Sequence, residues 1–255
     1  MVQQSDFRLN GMFQLIPKTG YGVEVGVYKG DLSQCILSNW DGTLYMVDTW
    51  RPMDDYYDKS MSETLFFNLN ETIDKTKEYQ DRGLILRMTS EQASNLFADN
   101  SLDFVYIDAN HSYEYVMEDL RLWYPKLKKG GYLMGDDYLG YDKDWWYKND
   151  SWVDSSGKDK RIKKEGKLIG HFGVNSAVNE FVVKMGVELH PTIEKKNGEV
   201  YINSLGGITN SKERNIWWGE WYFKKQEWTE SKEPGGFVQW RKELQNSHFQ
   251  VNKSV

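Results

Sequence analysis

The sequence predicts a single α/β domain built on a parallel sheet that helices cover on both faces. Short β-rich runs alternate with helical patterns through the first half of the chain, which is the order that such a sheet requires. Acidic residues come at the ends of several of these runs. A length of 255 residues, with 39% hydrophobic and 27% charged content, fits one large globular domain.

The predicted elements of the first half follow one another closely. Val23–Val27 is a short β-rich run, and a glycine turn after it leads into a helical pattern through Leu37. A longer helix is predicted over residues 113–127, with a stop at Lys128–Gly131. The other strands are predicted at 44–48, 84–87, 102–108 and 132–135.

The second half changes character. A helix is predicted around Ser176–Val183, and from about residue 229 the chain is predicted to be a polar, poorly ordered tail. Between them lie β-rich pieces at 187–192, 200–203 and 215–224. The last piece is apolar on both sides, which is typical of an interior strand.

Composition and charge disfavour several classes of partner. A net charge of −6 and a pI near 5.4 argue against nucleic acid, because binding to phosphates needs a basic face. Cys35 is the only cysteine, so no internal disulfide forms and a reducing compartment is expected. Met1–Asp6 lacks the pattern of a signal peptide, and no apolar segment is long enough to span a bilayer. We therefore expect a cytoplasmic protein. The sequence leaves open whether the protein forms a homo-oligomer.

Four acids end predicted strands, and ligands gather at the carboxyl ends of strands in parallel sheets. These acids are Asp48, Asp108, Asp136 and Asp137. Their simpler interpretation is that they cap the helices that follow. Asp108, Asp136 and Asp137, at neighbouring strand ends, would repel one another without a cation. Their oxygen atoms favour a site for a divalent metal such as Mg²⁺ or Ca²⁺.

The first strand is followed by the pattern Glu24-x-Gly26-x-x-x-Gly30. Glycines here let the backbone approach a ligand, although a tight strand-to-helix turn explains them equally well. A dinucleotide fingerprint needs Gly-x-Gly-x-x-Gly, and that pattern is absent, which disfavours a nicotinamide-dependent reductase. Asp48, at the end of the next strand, is placed to accept hydrogen bonds from the hydroxyls of a ribose.

Four segments together resemble the successive motifs of class I S-adenosylmethionine-dependent methyltransferases. They are 24–30, 45–48, 90–93 and 103–108, and the match covers most of residues 20–225. The resemblance implies a Rossmann-like, doubly wound, mostly parallel seven-stranded sheet with an antiparallel final strand. It also implies a cofactor site in which Gly26 and Gly30 lie against the methionine end, Asp48 binds the ribose and Ser90 approaches the adenine. Glu24 and Asp108 belong to the same site.

Residues 108–114 and 130–138 resemble a more specific subgroup of these enzymes. They are similar to metal-dependent O-methyltransferases that modify sugars in macrolide and aminocoumarin pathways, and to cephalosporin-hydroxylase-like proteins. That resemblance implies that Asp108, Asp136 and Asp137 ligate a divalent metal, Mg²⁺ being the expected ion. A metal there would lower the pKa of an acceptor hydroxyl.

One position departs from the sugar-modifying enzymes, which carry a general base two residues after the first ligand. Here that residue is Asn110, which cannot accept a proton. His111 is the nearest replacement, since an imidazole titrates near neutrality. A capping or orienting role for His111 is an equal alternative.

The segment 139–172 is rich in aromatic and charged residues, including Trp145, Trp146, Tyr147 and Trp152. It is predicted to be an acceptor-binding loop, with a subunit contact as the alternative. The function that these patterns predict is methyl transfer to a hydroxyl of a sugar or glycan. The alternatives are transfer to another small polyol or phenol, and a non-catalytic carbohydrate-binding relative of the fold.

Overall fold

The computed structural model describes residues 12–51, 65–138, 162–164, 167–170, 173–191, 193–196, 199–204, 207–210 and 219–226. The predicted acceptor-loop residues Trp145, Trp146, Tyr147 and Trp152 lie outside this part of the chain, and so does the polar tail from residue 229. The prediction of a single domain over residues 1–255 therefore stays a prediction.

The described strands and helices follow the alternating order that the sequence predicts. The helices are α1 (Met12–Leu15), α2 (Asp31–Asn39), α3 (Leu65–Thr76), α4 (Ser90–Ser94), α5 (Tyr113–Trp123) and α6 (Val174–Met185). The strands are β1 (Tyr21–Val25), β2 (Thr43–Asp48), β3 (Gly83–Arg87), β4 (Leu102–Ile107), β5 (Leu127–Tyr138), β6 (Ile162–Lys164), β7 (Lys167–Gly170), β8 (His190–Pro191), β9 (Ile193–Lys196), β10 (Glu199–Ser204), β11 (Gly207–Asn210) and β12 (Gly219–Lys224).

The central sheet has the order β3-β2-β1-β4-β5-β12-β8. Strands β1 to β5 pair in parallel, and β12 lies antiparallel between β5 and β8. The prediction of an interior, antiparallel final strand is thus confirmed. Away from this sheet, β9–β11 form a small antiparallel sheet, and β6 and β7 form a hairpin.

The prediction of seven strands is met only in part. Six strands of this sheet have five or more residues, whereas the outermost position holds only the two-residue segment β8. Pro191 ends this segment, and a proline has no N–H with which to continue a ladder. The described sheet therefore has six full strands, with the last pairings antiparallel.

Two cores lie on opposite faces of the sheet because side chains alternate along each strand. Val105 and Ile107 of β4 point to the core formed with α5 and α6, whereas Phe104 and Tyr106 point to the core formed with α2. Cys35 is buried in the second core, which is the position of a small hydrophobic residue. The sheet is therefore doubly wound.

The predicted helix over residues 113–127 is shorter in the structure. Helix α5 ends at Trp123, a 3₁₀ turn covers Tyr124–Lys126, and β5 begins at Leu127. Pro125 explains the change because proline cannot continue an α-helix. The residues Lys128–Gly131, predicted as a stop, are part of β5.

No helix in the described residues is long and apolar enough to cross a membrane.

Candidate active site

The turn between β1 and α2 is built on two glycines with left-handed backbone. Gly26 has φ +89°, and a Cβ there would lie 2.1 Å from the carbonyl oxygen of Asp108. Gly30 has φ +75°, and a Cβ there would lie 2.9 Å from Cγ2 of Thr72 on α3. Both positions require glycine because of packing within the protein, whatever they also contact in a ligand.

Asp48 binds the backbone of this turn. Its Oδ2 accepts hydrogen bonds from the amides of Val27 and Tyr28, both at 3.0 Å, and its Oδ1 accepts one from the amide of Trp50 at 2.8 Å. A carboxylate offers about four acceptor positions, so capacity for a ligand remains. Asp48 thus shapes the turn, and its predicted contact with a ribose stays a prediction.

Two non-glycine residues beside Asp48 adopt left-handed backbone, which bulky side chains rarely do. Tyr28 has φ +54° and Trp50 has φ +43°. The indole of Trp50 is buried and donates a hydrogen bond to the carbonyl oxygen of Tyr28 at 2.9 Å. Strained backbone of this kind clusters at functional sites, and the sequence pattern gave no signal for it.

Glu24 lies on β1, two residues before Gly26, and its side chain is buried. It accepts a hydrogen bond from Oγ of Ser33 at 2.5 Å. Burial raises the pKa of the Glu24 carboxyl well above its usual value, and the nearby charges of Asp108 and Asp48 act in the same direction. Glu24 therefore keeps its proton at a pH where an exposed glutamate has lost it.

The ends of β4 and β5 bring two predicted site residues to His111. Its Nε2 lies 3.3 Å from Oδ1 of Asp108, and its Nδ1 lies 2.8 Å from Oδ2 of Asp137. One ligand atom from each of these three residues lies within 4.8 Å of the others. The arrangement can hold a metal ion, and all three side chains are partly exposed.

The same arrangement controls the charge of His111. Burial opposes the charged imidazolium, but the hydrogen bonds and negative charges of Asp108 and Asp137 outweigh it and raise the pKa of His111 to about 10. At neutral pH the ring therefore carries both protons and has no lone pair for an acceptor hydroxyl. His111 occupies the place of a cation between the two carboxylates.

Asp136, predicted as a third ligand, is not in this group. Its side chain is buried, and its Oδ1 accepts a hydrogen bond from the amide of Asp137 at 2.8 Å. Consecutive residues of a strand point to opposite faces, and Asp137 then leaves the extended conformation with φ +60°. The structure thus brings Asp108 and Asp137 together, and the role of Asp136 as a ligand stays a prediction.

Asn110, where the resemblance expected a base, has a structural contact. Its Oδ1 accepts hydrogen bonds from the amide of Ser112 at 3.0 Å and from its hydroxyl at 2.9 Å. The amide of Gly173, just before α6, donates to the carbonyl oxygen of His111 at 2.7 Å. The loop that carries His111 is therefore fixed from both sides.

Ser90 has buried partners that sequence reasoning missed. Its hydroxyl donates a hydrogen bond to Oδ1 of Asp119 and accepts one from the indole of Trp123 at 2.8 Å. Burial raises the pKa of Asp119 to about 7, and the hydrogen bond from Ser90 only partly offsets this. A signal was present: Asp119 is three residues after Val116 and four before Trp123, on the buried face of α5.

Asn68 on α3 is a second residue that the sequence did not single out. Its side chain is buried, and among the described residues its Nδ2 is a buried donor without a hydrogen-bond partner. The next turn of α3 places Thr72 against the carbonyl oxygen of Tyr28 at 3.3 Å. An unpaired buried amide beside the β1–α2 turn is a group that a ligand could satisfy.

Residues 23–138 match a family model described as a methyltransferase domain. The matched segment covers just under half of the chain and includes every residue of the site described above except Gly173. The match is to methyltransferase domains in general. It specifies neither oxygen as the acceptor atom nor a sugar or metal.

Two solved structures are similar to this chain. A SAM-dependent methyltransferase from Methanosarcina mazei is 12% identical, with 84% of this chain and 96% of that chain covered and a TM-score of 0.50. At this identity the likeness shows the α/β Rossmann-like fold of methyltransferases alone. A SAM-dependent methyltransferase from Thermotoga maritima, described as a possible histamine N-methyltransferase, is 16% identical over 87% of this chain and 89% of that chain, with a TM-score of 0.46.

A curated relative matches a short segment. An uncharacterized protein of Acanthamoeba polyphaga mimivirus is 43% identical over 42 residues, which is 16% of this chain and 19% of that protein. The match therefore spans less than a fifth of the relative and gives no activity.

Proposed function

We propose that this chain is a divalent-metal-assisted O-methyltransferase that transfers the methyl group of S-adenosylmethionine to a hydroxyl of a sugar or glycan. The observation that carries the proposal is the convergence of Asp108, His111 and Asp137 at neighbouring strand ends. This group lies next to the glycine turn, since Gly26 packs against the backbone of Asp108. Cofactor and acceptor sites are thereby adjacent.

The donor set fits a divalent cation. Asp108 and Asp137 supply carboxylate oxygens, hard ligands that suit Mg²⁺ or Mn²⁺, and His111 beside them is assigned as the base. A bound cation would polarise an acceptor hydroxyl and lower its pKa. Asp136, one residue before Asp137, remains in our proposal a further ligand.

The carboxyl groups around the glycine turn suit the positive sulfonium of the cofactor. The charges of Asp108 and Asp48 act on Glu24 and help to raise its pKa. We assign Asp48 to the ribose hydroxyls. Asn68 offers an unpaired buried amide, which is a suitable donor to the carboxylate of the methionine moiety.

The transfer step is a displacement in which the hydroxyl oxygen forms a bond to the methyl carbon while the carbon–sulfur bond breaks. The thioether leaves with the electron pair, and the hydroxyl proton goes to a base. His111 can take that proton only when it is neutral, because an imidazolium has no free lone pair. Neutralisation of the charges on Asp108 and Asp137 would remove the cause of its raised pKa.

A non-catalytic carbohydrate-binding protein is the second candidate. It is favoured by two observations, namely the structural contacts of Asn110 and the proton that His111 retains at neutral pH. The two candidates differ in one measurable property, which is turnover.

The experiment follows a labelled methyl group from S-adenosylmethionine to a panel of sugars, glycans, small polyols and phenols, with Mn²⁺ or Mg²⁺ and with excess EDTA. We expect label in a sugar or glycan in the presence of metal and none with EDTA. Full activity in EDTA would contradict the metal, and label only in a phenol or polyol would contradict the acceptor class. Cofactor binding without any transfer would favour the non-catalytic candidate.

A further inference from the structure

The hydroxyl of Ser90 is held in one orientation by two buried groups on α5. Asp119 is 5% exposed and Trp123 is fully buried, whereas Ser90 keeps part of its surface accessible. Ser90 also begins α4, whose N-cap residue Thr89 forms a capping box with Gln92. The backbone of Ser90 is therefore fixed independently of its side chain.

The hydrogen-bonding capacity of Ser90 is almost fully used. A serine hydroxyl has one proton to donate and two lone pairs that accept. The proton goes to Asp119, and one lone pair accepts the indole N–H of Trp123. One lone pair remains, so Ser90 can accept a hydrogen bond from a ligand but cannot donate one while Asp119 is a carboxylate.

We propose that Asp119 is a positioning residue that makes Ser90 an acceptor-only contact for the exocyclic amine of the cofactor's adenine. This inference rests on the proposed function, in which Asp48 binds the ribose of S-adenosylmethionine. The carbonyl oxygen of Asp48 accepts a hydrogen bond from the amide of Met88 at 3.1 Å, so Ser90, two residues further along, begins α4 beside the place where the base attached to that ribose would lie. An adenine presents an N–H donor at its six position, whereas a hypoxanthine presents a carbonyl oxygen there. Two acceptors cannot share a hydrogen bond, so the site selects adenine through the charge of a residue that does not touch the ligand.

A protonated Asp119 would reverse this selection. Its O–H would donate to Ser90, whose own proton would then be free to point at the ligand. Burial and the neighbouring charge of Glu118 raise the pKa of Asp119, while the hydrogen bond from Ser90 favours the charged form. The identity of the side chain at position 119 therefore sets the polarity of Ser90.

The test compares the affinities of S-adenosylhomocysteine and S-inosylhomocysteine by calorimetry at pH 8.5. The whole chain should prefer the adenosyl compound, and Asp119→Leu, which removes the acceptor for the Ser90 proton, should reduce that preference about tenfold. Ser90→Ala should reduce it similarly, and the double variant should match Ser90→Ala because Asp119 acts through Ser90. Glu118→Gln, an exposed neighbour, should leave the preference unchanged.

The outcomes separate the possible failures. If the wild-type chain binds neither compound, the proposed function fails. If it binds both equally, the inference fails whatever the variants do. If Asp119→Leu weakens both compounds equally, Asp119 has only a structural role and the inference is overturned. If that variant does not fold, Asp119→Ala is used, which also removes the acceptor for the Ser90 proton, and an unchanged preference in the folded Ala variant would overturn the inference.

Discussion

Nδ1 of His111 lies 2.8 Å from Oδ2 of Asp137, which joins the loop after β4 to the end of β5. Nε2 of the same ring faces Asp108. The proton on His111 thus holds together two carboxylates that would otherwise repel each other. A bound metal would compete with this proton for the same oxygens.

We expect Asp137→Asn to weaken Mn²⁺ binding at least tenfold, because a carboxylate ligand becomes a neutral amide. Asparagine tolerates the left-handed backbone of position 137, where φ is +60°, so the loop should keep its shape. The measurement is Mn²⁺ titration by electron paramagnetic resonance in the presence of S-adenosylhomocysteine. Asp99→Asn, which alters a surface pair with Lys126, is the matched control. Equal affinities for both variants would exclude Asp137 as a ligand.

His111→Ala should lower turnover by about 10²–10⁴ if the imidazole accepts the hydroxyl proton. The KM for S-adenosylmethionine should change little, since His111 is assigned to the acceptor side. Steady-state kinetics over a range of pH distinguishes the base from an orienting residue. A variant with the rate and pH profile of the wild type would show that the proton leaves by another route.

Gly26→Ala should destabilise the fold by at least about 3 kcal/mol, because the new methyl group would lie against the carbonyl of Asp108 in addition to the cost of left-handed backbone. Gly130→Ala is a matched control: its φ is +77°, but the closest atom to a new Cβ is the side chain of Lys224 at 3.4 Å. It should cost only about 1–2 kcal/mol. Urea unfolding measures both, and equal losses would contradict the close approach at Gly26.

Asp119 should make stability fall as pH rises from about 4 to about 7. Its folded pKa is about 7, against an ordinary value of 3.8, so in this range the folded state binds a proton that the unfolded state has lost. The slope is at most about 1.4 kcal/mol per pH unit, and above pH 7 the contribution is constant. The free energy of unfolding of Asp119→Asn, minus that of the wild type, should therefore rise over this window. Parallel curves for the two proteins would contradict the raised pKa.

The sequence predicted which acids lie at the carboxyl edge of the sheet because strand ends are readable from short patterns. Asp48 ends β2 and Asp108 directly follows β4, and parallel strands bring their carboxyl ends to one edge of the sheet. The pairing of β4 with β5 then places Asp137 near Asp108. This reasoning used only the order and direction of elements.

The contacts of individual side chains were beyond the sequence patterns. Asp136 and Asp137 look equivalent in sequence, but alternation along β5 and the left-handed backbone of Asp137 separate them. The partner of Ser90 lies on another element, 29 residues away, and the spacing that puts Asp119 on the buried face of α5 does not show which residue it contacts. The two-residue length of β8 depends on Pro191, whose effect on a ladder appears only once the pairing is known.

The central claim, that this fold binds S-adenosylmethionine at the β1–α2 turn, is tested most directly by calorimetric titration of the chain with S-adenosylhomocysteine. We expect one site in the wild type and in Asp41→Ala, an exposed position that follows α2. Asp48→Ala should weaken binding by about 1–3 kcal/mol or more, because it removes an acceptor for the ribose and for three backbone amides. No binding to the wild type, or the same affinity in Asp48→Ala, would contradict the account.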